Sequence, residues 1–124
     1  MLRVLFLILV VTSSTVFAQN QEKVLSKEKP EASMQSDFGR VPNGQIRMLV
    51  DTFFLELQNN PTSQGYIINY GKDREVAGRE RLLRNHIVFR QQDASRITFI
   101  RGANKKEFNT QLWIIPEGAE PPKP

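Results

Sequence analysis

Apolar positions recur at helical spacing between residues 45 and 58. Ile46, Leu49, Val50, Phe53 and Leu57 fall on one face of a 3.6-residue period, and Phe54 and Leu55 widen that stripe. Pro42-Asn43-Gly44 bounds the segment in front and Asn59-Asn60-Pro61 behind, so one amphipathic helix is predicted there. Residues 65–71 (GYIINYG) are short, β-branched and aromatic between two glycines, the pattern of a buried strand. Residues 72–78 read as a polar turn or the first turn of a helix. A second helix follows from Arg79 to about Gln92, with Leu82, Leu83, Ile87 and Phe89 as its apolar face. After the turn Asp93-Ala94-Ser95, residues 96–100 alternate, with Ile97 and Phe99 on one side. Residues 107–116 alternate again, with Phe108, Thr110, Leu112 and Ile114 opposed to Asn109, Gln111, Trp113 and Ile115.

A short strand at 38–41 would complete the order βαβαββ. The connection from the first buried strand through a helix to the next strand is long enough for parallel pairing. The last two strands, separated by a short loop, are expected to form a hairpin. The fold class predicted is α/β: a two-layer sandwich, a mixed sheet with two helices packed on one face.

The two ends of the chain carry other patterns. Residues 1–18 begin with Arg3, continue with the apolar run Val4 to Val11, and end in Val16-Phe17-Ala18. This is the layout of a secretory signal peptide cleaved after Ala18. The apolar run is far shorter than the ~20 residues a membrane span needs, so no span is expected after cleavage. Residues 19–36 hold three basic and three acidic residues among few large apolar ones and read as a disordered linker. Residues 117–124 (EGAEPPKP) read as an exposed, proline-rich tail. The folded unit is therefore residues 37–116.

Composition narrows the chemistry. None of the 124 residues is cysteine, which excludes a disulfide scaffold, a thiolate metal site and a cysteine nucleophile. The single histidine, His86, excludes a multi-histidine metal centre. An exported chain without cysteine points to a bacterial periplasm or cell surface. The net charge of +4 is only mildly basic. Six basic residues lie between Lys72 and Arg90, but acids are interleaved, and Glu75 with Arg79 and Glu80 with Arg84 have the spacing of helical ion pairs. A solvated helix face is the reading this favours. Nucleic acid is rejected as a partner, because the aromatics sit in apolar runs rather than beside the arginines.

Candidate chemistry is sparse. His86 has no serine or cysteine nucleophile in a recognisable motif near it, and the carboxylates are scattered, so a non-enzymatic protein without cofactor or metal is expected. One place suits a ligand: the turn from Tyr70 to Arg74, leading from strand to helix, where backbone N–H groups and the positive helix end favour an anion. Arg74 and Arg79 are the candidate ligand-binding residues beside it.

The helix ending in Leu57-Gln58-Asn59-Asn60-Pro61, the strand Tyr66-Ile67-Ile68-Asn69-Tyr70-Gly71, the arginine-rich helix and the turn Asp93-Ala94-Ser95-Arg96-Ile97 resemble the OmpA-like peptidoglycan-binding domain. The resemblance spans residues 38–116. It implies an envelope domain that binds the diaminopimelate carboxylate of peptidoglycan through an Asp after the second strand and an Arg in the following helix, for which Asp73 and Arg79 are the nearest matches. The family's loop before that helix is longer, and its Leu-Ser and Arg-Ala pairs are absent here. Two functions follow as expectations: binding of peptidoglycan or another wall component, or an envelope protein–protein interaction module, with the Trp113 side of the last strand as its surface if no helix covers it.

Overall fold

The computed structural model describes residues 28–103 and 107–124; the expected signal peptide and the first part of the linker, residues 19–27, lie outside them. The elements are β1 (Ser33–Phe38), α1 (Asn43–Asn59), β2 (Gln64–Tyr70), α2 (Asp73–Phe89), a 3-10 turn (Ala94–Arg96), β3 (Ile97–Arg101) and β4 (Asn109–Ile115). They form a mixed four-stranded sheet in the order β1-β4-β2-β3 with two helices, an α/β fold in the expected βαβαββ order.

Helix α1 starts where Pro42 fixes φ and its carbonyl accepts from the amides of Gln45 and Ile46. It ends where the Asn60 side chain and amide both donate to the Glu56 carbonyl, and Pro61 blocks continuation. Helix α2 begins at Asp73, so of the two readings open for residues 72–78 the helical one holds, and it is continuous with the helix expected from Arg79. Asp73 and Glu75 place negative charge in its first turn, where the helix dipole favours it. Val76 already belongs to the inward stripe with Arg79, Leu83 and Ile87. Gly78 is thus interior to a helix, not a break.

The register shows how the layers meet. Strand β2 runs parallel to β3 (Ile67 opposite Phe99) and antiparallel to β4 (Ile67 opposite Leu112). Directly opposed residues share a face. Gly65, Ile67, Asn69, Thr110, Leu112, Ile114, Ile97 and Phe38 therefore look to one side, and both helices touch that side. A Cβ on Gly65 would stand 2.6 Å from the Phe53 ring of α1, so glycine is what lets α1 lie on the strand. From α2, Glu80 pairs with Arg101 and Arg84 lies over the Phe99 ring. The core on this side gathers Ile46, Val50, Phe53, Phe54 and Leu57 of α1 with Leu83 and Ile87 of α2 against Ile67, Leu112 and Ile114. Each fully buried side chain of this kind contributes about 1.5–3 kcal/mol of transfer free energy.

Four expectations need correction. The linker does not extend to residue 36, because Ser33 to Ser36 already pair with β4 through a bulge between Met34 and Ser36. Backbone pairing with a central strand outweighs their polar side chains. The hairpin of the last two strands does not form: β2 lies between β3 and β4. Strand β4 buries Leu112 and Ile114 on one face and Ile115 on the other, as suits a central strand, whereas β3 exposes Thr98 and Arg101, as suits an edge. Leu55 and Phe89, counted on the apolar faces, are exposed. The helical ion pairs are replaced by tertiary ones, Glu75 with Arg40 and Glu80 with Arg101.

Candidate functional site

The inward stripe of α2 carries one charged residue among apolar ones. Arg79 is only 5% exposed. One terminal nitrogen donates to Thr110 Oγ1 at 2.6 Å and the other to the Gly39 carbonyl at 2.8 Å. Its guanidinium carbon lies 4.4 Å from the Phe108 ring centre and 5.1 Å from that of Phe38. Thr110 Oγ1 in turn donates to Asn69 Oδ1 at 2.6 Å. A continuous polar chain therefore runs from the β1–α1 loop through Arg79 and across two central strands. Asn69 Nδ2, at its far end, is buried without a hydrogen-bond partner.

No carboxylate pairs with Arg79 among the described residues. The nearest charge that matters to it is another cation. Burial first, and then the charge of Arg40, hold its pKa below the ordinary arginine value. It stays a cation at any physiological pH. The two bonds above use two of its five N–H donors. Arg79 lines a cleft of about 580 Å³ together with Arg40, Asn43, Glu75, Arg81 and Phe108. Arg40 pairs with Glu75 beside this cleft and stacks on Phe108 at 5.1 Å. The cleft thus presents three guanidinium groups against one carboxylate, and that carboxylate is already engaged.

Asp73 and Arg74 are exposed in the first turn of α2 and do not line this cleft. The early start of the helix explains the separation, since six residues at 1.5 Å rise carry Arg79 about 9 Å beyond Asp73 along the axis. The charge of Asp73 acts instead on Arg101. The backbone end of the helix and the arginine expected to act with it are therefore different places. Sequence reasoning did not find Arg40, Thr110 or Asn69. A signal for two of them exists: Asn69 and Thr110 are polar residues at inward positions of otherwise apolar strand faces, which in a small core marks a partner to be satisfied.

A second cluster joins the helices. His86 is buried, with Nε2 2.7 Å from Asp51 Oδ1 and its ring stacked between Phe54 and Phe89. Arg90 grips both oxygens of the same carboxylate at 3.1 and 2.9 Å. Burial raises the Asp51 pKa, but the bonds from Arg90 and His86 outweigh it and leave it lowered. The hydroxyl of Ser95 donates to Asp93 rather than to His86. The cluster acts as a clamp between α1 and α2.

Neither a protein-family model nor a curated protein matches the chain. Among the described residues no helix is long and apolar enough to cross a membrane.

Proposed function

We propose that this chain is an exported, non-enzymatic domain of OmpA-like type that binds a carboxylate-bearing component of the bacterial cell wall in the Arg79 cleft. The observation that carries the reading is a buried guanidinium with no carboxylate of its own among the described residues, flanked by Arg40 and Arg81 on an open cleft. A desolvated positive charge of this kind is stabilised by an incoming anion, and a planar carboxylate matches the arginine fork. The order of elements on which the resemblance rests agrees with this reading, as does the N-terminal pattern of an export signal.

The ligand set differs from the one expected. Arg79 remains, Asp73 and Arg74 drop out, and Arg40 and Arg81 take their place. Glu75, engaged by Arg40, is the group a ligand carboxylate would displace.

The test is co-sedimentation with isolated sacculi. Arg79→Lys and Arg40→Gln should each weaken binding by about tenfold to a hundredfold, since a charge-assisted hydrogen bond contributes ~1.5–3 kcal/mol. Arg84→Lys, outside the cleft, should bind as the parent does. Equal binding by all four proteins removes the cleft from the reading, and no binding by the parent favours the protein-interaction function. Mass analysis of protein from the envelope fraction should find Gln19 as the first residue; an intact Met1 there would contradict export by cleavage.

A further inference from the structure

The outer surface of the helices is unlike the rest of the molecule. Arg74, Ala77, Arg81, Arg84 and Val88 recur at steps of three and four, so they form one stripe along α2, and all are exposed. The stripe is about 21 Å long at 1.5 Å per residue. It ends in two consecutive apolar side chains, Val88 at 76% and Phe89 at 74% exposure. On α1, Met48 and Leu55 stand one turn either side of Asp51 and are also exposed. Asp51 bonds Arg90 and His86, which brings these residues beside the end of α2. Arg47 and Phe89 line the same shallow groove between the helices.

Apart from exposed Asp73 at its start, the free charges on this surface are basic. Glu75 is drawn away by Arg40, Glu80 by Arg101, and Asp51 by His86 and Arg90. Arg47, Arg74, Arg81 and Arg84 make no ion pair among the described residues, and Arg84 is fixed over Phe99 at 4.1 Å. Except for Arg81, which reaches the rim, the stripe does not line the Arg79 cleft.

We infer that the outer face of α2, with the adjoining edge of α1, docks on an anionic lipid bilayer. A helix ridge is convex; Val88 protrudes from it, and Phe89, which borders the inter-helix groove, is also largely exposed. A rigid acidic protein would have to supply a matching groove, whereas a lipid surface deforms around a ridge. Val88 and Phe89 enter the boundary between headgroups and acyl chains, and the arginines meet the phosphates. The attraction is charge-dependent and falls with salt.

The experiment uses the chain from Gln19 onward, which keeps every described residue and omits the apolar run at Val4 to Val11 that would itself bind lipid. Sedimentation with vesicles of equal parts phosphatidylglycerol and phosphatidylcholine should show binding about tenfold or more above pure phosphatidylcholine at about 0.1 M salt. Val88→Ser with Phe89→Ser, and separately Arg74→Gln with Arg84→Gln, should each reduce it at least about fivefold. Circular dichroism melts identify variants that have lost the fold, and Phe89→Trp supplies a readout independent of them. Its emission should shift to the blue with vesicles, while Trp113 in the parent, on the opposite face of the sheet, should not respond. Equal affinity for the two vesicle types, no binding to either, or a response from Trp113 overturns the inference. So does binding to soluble polyglutamate that matches the vesicles and is indifferent to the serine changes, which would assign the face to an acidic protein.

Discussion

Thr110 illustrates how much one hydroxyl can organise. It accepts from Arg79 and donates to Asn69, both at 2.6 Å and both inside the fold. Thr110→Val keeps the shape and the strand preference but strips a partner from a buried cation and from a buried amide oxygen. The expected cost is about 1–3 kcal/mol, read as a lower urea midpoint. An unchanged midpoint would show that the polar chain does not support the fold. Arg79 was visible in the sequence as a candidate ligand residue, yet its burial was not. Four-residue spacing already places it on the face of Leu83, but Val76 joins that stripe only if the helix begins at Asp73, and Gly78 obscured that start.

At the scale of elements, α1 and α2 are joined by apolar packing and by the clamp of Asp51, His86 and Arg90. The pKa of Asp51 is lowered in the folded chain. Its contribution is therefore complete above the unfolded carboxylate value near ~4 and is lost as pH falls through the lower folded value. Urea midpoints from pH 6 to pH 2 should decline less steeply for Asp51→Asn than for the parent, the two curves converging at the acid end. Parallel curves would remove Asp51 from the acid response. Most elements were legible because their periodicities are strong: the stripe of α1, the alternation of β4 and the Gly65 strand all stand close to where the sequence puts them. The hairpin was not legible, because a short loop between two alternating strands is compatible both with pairing and with a step across an intervening strand. What decides is burial on both faces of β4, a property of the finished sheet. The start of β1 was hidden for a similar reason, since Ser33 to Ser36 are strand only by virtue of a partner some 80 residues away.

For the whole molecule, the sheet order has a kinetic meaning. β4 follows the other strands along the chain but lies between β1 and β2, and among the described residues it supplies the only pairing β1 has in the sheet. Removing residues 109–124 should leave no cooperative unfolding transition by circular dichroism, although both helices and the parallel β2–β3 pair remain encoded. A retained transition would mean that the helices and two strands suffice. Contacts this distant in sequence are also slow to form. A nascent chain accordingly cannot join β1 to β2 until β4 has been delivered, so its sheet stays open until then. Were the chain exported as proposed, a strand synthesised after both of its neighbours would keep the sheet open while the chain is threaded through a secretion pore, a delay built into the strand order.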